Sequence, residues 1–198
     1  ELSLIAKSVN DGLLFRVDMK TPDIGTGYAN VIVNPFQNGM PMRGEVAFDD
    51  VQLKVFKPFI KDVRSMAGTL ALAGKVNGTL TQPQFTGEMR LKNGAISMMS
   101  LPVNLTNIQL YSSIRQDSAS IDGAFNSGQG VGRLKGSFDW KEEPHLALTL
   151  KGDNLLIRQA PMITAIVQPD LSLDVYPFDQ RLSLKGSIDV PRARISMP

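Results

Sequence analysis

Cysteine is absent from the 198 residues, and histidine and tryptophan occur once each. The first absence removes disulfides, thiolate nucleophiles and Cys-based metal sites, and it suits cytoplasm and periplasm equally. A lone histidine supplies no metal centre; His145, beside Pro144 at the start of a strand pattern, reads as a surface or turn residue rather than a catalytic one. No apolar run approaches the roughly 18 residues that span a bilayer as a helix, and the N-terminus lacks the basic start and apolar stretch of a signal peptide. Charge of one sign is missing too: 21 Lys and Arg are interspersed with 19 Asp and Glu, for a net charge of +2. That balance argues against nucleic acid as the partner.

Enzyme signatures are equally scarce. Asp49-Asp50 and Glu142-Glu143 each adjoin an expected turn or strand end, where neighbouring side chains point apart instead of converging on a substrate. The glycines of Gly128-Gln129-Gly130-Val131-Gly132 loosely resemble a dinucleotide loop, but a strand pattern follows where a helix is required. The expectation is a non-enzymatic chain with no catalytic residue, no metal and no cofactor.

What the sequence has is alternation. With 42% hydrophobic residues the chain can bury a sizeable core, and apolar and polar residues alternate at the strand period through most of its length. Leu70, Leu72, Gly74, Val76, Gly78 and Leu80 share one face of the clearest run; Leu134, Gly136, Phe138 and Trp140 share another, and Leu182, Leu184, Gly186, Ile188 and Val190 a third. Shorter runs are Leu13 to Met19, Phe85 to Leu91, Ile108 to Ile114 and Leu146 to Leu150. Asn10-Asp11-Gly12, Asn38-Gly39, Asn93-Gly94 and Ser127-Gly128-Gln129-Gly130 are turn signals between them, and their short spacing predicts a mostly antiparallel meander. One segment breaks the period. Phe59, Ile60, Val63 and Met66 recur at spacings of three and four between Pro58 and Gly68, which predicts a short amphipathic helix over 58–67. Met162 to Val167, bracketed by Pro161 and Pro169, reads as a strand.

Glycine falls in register with leucine on the apolar side of these strands. In a closed sandwich such glycines leave gaps in the roughly 10 Å between sheets, and they also let a sheet coil sharply. Two readings follow: a curved sheet with an apolar groove, or an ordinary sandwich bent locally at bulges. The blocks Leu134-Lys135-Gly136-Ser137-Phe138-Asp139-Trp140 and Leu184-Lys185-Gly186-Ser187-Ile188-Asp189-Val190 echo one another, as does Leu72-Ala73-Gly74-Lys75-Val76, at unequal separations that make a loose strand repeat rather than a solenoid.

Near the C-terminus, Gln168-Pro169-Asp170-Leu171-Ser172-Leu173 followed by Leu182 to Ile195, with its Pro191-Arg192-Ala193, resembles the TamB and AsmA-like family, within the bridge-like lipid transfer superfamily. Val76 to Gly87, Leu91 to Ala95 and Gly130 to Gly136 are similar to the same region, so the best match covers 56–198 and is diffuse before Phe56. The resemblance implies an all-β, strongly curved, half-open trough with an apolar interior. It implies the periplasm of a Gram-negative envelope, with an inner-membrane anchor outside this chain. It also implies phospholipid movement between the membranes and outer-membrane protein (autotransporter) assembly with TamA, an outer-membrane barrel of the Omp85 type. The chain is in a strand pattern at Glu1 and stops in mid-pattern at Pro198. It is expected to be one elongated β domain over 1–198, a piece of a longer protein.

The residues expected to line the groove, in contact with acyl chains or apolar protein segments, are Leu70, Leu72, Val76, Leu80, Phe85, Met89, Leu91, Leu134, Phe138, Trp140, Leu148, Leu150, Leu182, Leu184 and Ile188. Each methylene taken out of water is worth roughly 0.8 kcal/mol, so such a stripe holds a long hydrocarbon by on the order of 10 kcal/mol with no hydrogen bond. The alternative partner is a nascent outer-membrane protein, whose alternating segment the same face or a strand edge would receive. A carbohydrate module is disfavoured by an aromatic content of only 7%.

Overall fold

In the computed structural model, residues 1–99, 103–159 and 163–195 are described. The strands are β1 (Leu2–Val9), β2 (Gly12–Thr21), β3 (Gly25–Val33), β4 (Met42–Gln52), β5 (Val63–Gly78), β6 (Pro83–Met98) and β7 (Asn104–Gln116). They continue as β8 (Ser118–Ser127), β9 (Gly130–Asp139), β10 (His145–Asp153), β11 (Leu155–Gln159), β12 (Ile163–Tyr176) and β13 (Arg181–Ile195). All belong to one 13-stranded sheet in which β1 to β10 pair in chain order. Every pairing is antiparallel, as the close-spaced turn signals predict. β12 takes β10 against its second half and β11 against its first, and β13 lies along its other side. The sheet is not closed: β1 bounds it at one end and β13 at the other.

Turn chemistry explains most of the connections. Asn10 and Asp11 join β1 to β2, with Gly12 at φ +141° where a Cβ would collide with the Val33 carbonyl. Asn38-Gly39 lies between β3 and β4, and Gly128-Gln129 between β8 and β9. Asn93-Gly94 does something else. It lies inside β6, where Asn93 adopts φ +51° and the pairing to β7 shifts between Leu91 and Gly94, so the dipeptide makes a bulge rather than a hairpin. Asp49-Asp50 likewise sits inside β4, not at a strand end: Asp50 has φ +53°, its N–H donates to Asp49 Oδ1 at 3.0 Å, and the register to β5 shifts there.

The single short helix is displaced from the expected 58–67. It is a 3-10 helix over Leu53–Phe59, with Pro58 near its end, while Val63 already begins β5. The cause is a β-bulge: pairing to β6 shifts between Val63 and Ser65, so Val63 and Met66 are three apart within an extended strand. Gly68, expected to end the helix, has φ +124° at the next register shift of the same strand. Ile163 to Val167 are strand, as expected, whereas Met162 lies outside the described residues.

A sheet of this size with no second layer has little core. Accessible surface is 13263 Å², against about 9,200 Å² for a globular monomer of 21.6 kDa. Among the described residues the buried hydrophobics are Val51, Val63, Leu155 and Val167. Leu155 and Val167 face each other across β11 and β12. Close by, Ser127, 1% exposed, donates its Oγ hydrogen to the Leu156 carbonyl at 2.6 Å, tying β8 to β11. Ser127→Ala is expected to cost about 1–3 kcal/mol by leaving that carbonyl unpaired. Urea unfolding checks it, and an unchanged midpoint would show the bond to be dispensable.

Candidate functional site

Residues directly opposite in an antiparallel pair share a face, as do residues i and i+2 along a strand, so the register defines each face row by row. One row crosses the whole sheet: Leu2, Met19, Gly27, Phe48, Leu72, Met89, Ser112, Ile121, Gly136, Leu148, Leu173 and Leu184 are successive partners. The next row on the same face is Leu4, Val17, Ala29, Val46, Gly74, Gly87, Ile114, Ala119, Phe138, Leu146, Val175 and Leu182. On the other flank, Val51, Leu70, Leu91, Leu110, Gly123, Leu134, Leu150, Leu171 and Gly186 form a third. None of the three rows contains a charge, and the single hydroxyl, on Ser112, is 2% exposed.

All the expected groove residues except Leu80 and Trp140 lie in strands and on this face, Val76 opposite Phe85 and Ile188 opposite the buried Pro169. Leu80 is in the β5–β6 turn and 55% exposed. Trp140 lies just past β9; its N–H donates to the Asp117 carbonyl at 2.9 Å and its ring is 5.3 Å from that of Phe138. On the edge strand Leu182, Leu184 and Ile188 are more than half exposed, and the rest are half-buried. Met19, Phe48, Val51, Leu110, Leu171 and Leu173 occupy the same rows without having been singled out. Alternation marks Met19 and Leu110, but the Asp49-Asp50 bulge hides Phe48 and Val51 from any period-two count.

The glycines on this face are not gaps. A Cβ on Gly74 would meet Phe85 Cζ at 2.5 Å, one on Gly132 would overlap the Phe125 ring, and one on Gly136 would meet Leu148 Cδ2 at 2.7 Å. Large side chains from adjacent strands therefore lie sideways over the glycines and keep the face apolar without an opposing layer. Among the described residues the 3-10 helix is the one element that lies on this face: its Val55 and Phe56 line a pocket together with Met19, Phe48, Leu70 and Leu72.

The opposite face is polar. Arg90, Tyr111, Asp122, Lys135, Thr149, Ser172 and Lys185 form one of its rows. Along it Arg90 lies 5.4 Å over the Tyr111 ring and Lys135 pairs with Asp122 at 3.9 Å. Arg16 donates to Asp18 at 2.6 and 2.9 Å, which holds the Asp18 carboxyl below the usual carboxylate range and raises the Arg16 guanidinium. A lowered folded-state value stabilises the fold above the ordinary carboxylate range and ceases to do so as pH falls through it; at this exposed pair the effect is small. His145, expected on a surface or turn, starts β10: its Nε2 is 3.0 Å from Asp174 Oδ1 and its ring stacks on Tyr176 at 4.3 Å, and the Arg181 guanidinium lies 4.0 Å from the centre of the same Tyr176 ring. No group of three His, Cys, Asp or Glu among the described residues can hold a metal ion, and no helix of the described residues is long and apolar enough to cross a membrane.

Among the described residues the arrangement offers apolar surface and no convergent polar groups. Residues 1–91 match the family described as TamB, N-terminal domain, and residues 117–198 match the TamB C-terminal domain. The translocation and assembly module subunit TamB of Haemophilus influenzae is 21% identical over 199 aligned positions, covering 100% of this chain but only 15% of the relative. No solved structure matches significantly. With two TamB matches flanking a short unmatched stretch, and a TamB relative aligned along the whole length, the chain belongs to the TamB family.

Proposed function

We propose that this chain is a segment of a periplasm-spanning envelope-biogenesis protein, anchored in the inner membrane outside the present sequence. Its apolar face forms the lining of a trough that shields phospholipid acyl chains between the two membranes. The longer protein acts within the translocation and assembly module, with an Omp85-type TamA barrel as its outer-membrane partner, and supports autotransporter assembly there. The observation that carries this reading is the set of charge-free rows, two running from β1 to β13 and one from β4 to β13, over which, among the described residues, only the 3-10 helix lies. A face that large and unpaired is expected to have a ligand or partner. Hydrocarbon fits it because no polar group on it would be left unsatisfied, and head groups would remain in water.

A second reading, a scaffold that receives apolar β-segments of outer-membrane proteins, draws on the same charge-free rows, against which the apolar side of an alternating strand would lie. Native mass spectrometry and lipid extraction of the purified chain separate the two. Co-purifying phospholipid supports the conduit; a lipid-free chain that binds alternating outer-membrane peptides would replace it with the scaffold.

A further inference from the structure

The 3-10 helix interrupts the apolar face at one place. Between it and the sheet lies a pocket of about 310 Å³, lined by Met19, Phe48, Val51, Phe56, Leu70 and Leu72 among others, to which no polar atom contributes. An enclosed apolar cavity of about 150 Å³ binds benzene or xenon; this pocket is roughly twice as large, open on its solvent side, and offers no hydrogen-bonding group in its lining. Val51 is buried within it, whereas Ile24 and Phe56, at 38% and 39% exposure, stand on its solvent side. Asp23, next to Ile24, and Lys54, next to Val55, form a loose, exposed ion pair, Nζ to Oδ1 4.0 Å, that joins the β2–β3 turn to the helix. A cation whose present partner is weakly held therefore stands one residue along the chain from the pocket wall.

We propose that the 3-10 helix is a clamp that holds one hydrocarbon chain against β4 and β5, with the anionic group at the end of that chain meeting Lys54 in place of Asp23. This rests on the lipid reading of the face and adds to it a discrete, single-chain site at a fixed position, where the rest of the face is continuous. The anionic group is shared by a fatty-acid carboxylate and a phospholipid phosphate, and the chain is common to both.

The test uses tryptophan emission, because Trp140, the only tryptophan, is remote in sequence from the helix and its ring lies 5.3 Å from that of Phe138 on the open part of the face. Phe56→Trp in a Trp140→Phe background places the fluorophore in the pocket wall, and the unaltered chain reports the open face. Both are titrated with dibromostearate and, separately, with vesicles of a dibrominated phosphatidylethanolamine. The expected result is saturable quenching at position 56 with one bound chain per protein. Adding Val55→Asp should weaken it by about tenfold or more, since a charge in an apolar pocket must be desolvated, and Lys54→Gln should weaken it by a smaller factor. Quenching by dibromostearate alone identifies a free fatty acid as the source, and quenching by the phospholipid identifies a membrane lipid; either supports the clamp. Quenching at Trp140 without quenching at position 56 overturns the clamp and leaves the lipid reading intact. Quenching at neither overturns both.

Discussion

Leu72→Asp and Leu184→Asp variants are expected to stay folded while losing hydrocarbon binding. Both positions lie in the row that crosses the entire sheet, and neither is fully buried; Leu184 is 59% exposed. In a dry core a buried unpaired charge costs several kcal/mol, enough to unfold a domain with roughly 5 to 15 kcal/mol to lose. At Leu184, on the outermost strand, water reaches the carboxylate and the expected loss is below about 2 kcal/mol; Leu72 lies in the pocket wall beneath the 3-10 helix, so its loss is larger, up to about 4 kcal/mol, and still within what the fold can lose. A hydrocarbon chain, by contrast, cannot pass the carboxylate without stripping its water. Thermal unfolding of the purified variants, lipid retention, and rescue of envelope integrity by the longer protein carrying the same changes give the three readouts. Folded variants that neither retain lipid nor rescue support the conduit. Unfolding of both would mean that another layer covers the face, and folded variants with full rescue would remove lipid transport from the proposal.

Gly186→Ala is expected to loosen β13 from β12 and lower stability by about 1–3 kcal/mol. Gly186 sits opposite Leu171 at φ +133°, and a Cβ there would run into the Asp170 carbonyl. Both the backbone conformation and the space therefore require glycine. At roughly 2–4 °C per kcal/mol for a chain of this size the change is readable in a melting curve, and hydrogen exchange should localise it to β13 amides. Ser187→Ala, one residue on, is the control and should leave both unchanged. A Gly186→Ala variant with native protection along β13 would show that the strand can slide or bulge around the substitution.

The strands were legible in the sequence because alternation is a local property: Leu134, Gly136 and Phe138 on one side and Arg133, Lys135 and Ser137 on the other need no knowledge of the rest of the chain. What covers the resulting face is not local, and so the choice between sandwich and open sheet did not follow from the same residues. Bulges were the second blind spot. One extra residue converts a spacing of two into three, which is how Val63 and Met66 imitated a helix and how Asp49-Asp50 passed for a strand end. The glycines argued against a closed sandwich, and the sheet is open; what occupies the space beside them was not legible, because Phe85 and Leu148 reach it sideways from neighbouring strands.

The order of the sheet, in which β1 to β10 each pair with their immediate neighbours in the chain, makes length an additive property. Each strand advances the structure by the same increment of about 4.8 Å, so gaining or losing one hairpin changes the reach by roughly 10 Å and leaves every other pairing as it was. No contact far along the chain has to be renegotiated, as in other arrays whose units touch only their neighbours. A molecule built this way can be fitted to the distance between two fixed surfaces by duplicating or deleting hairpins, with gap width rather than core packing setting the number of strands retained.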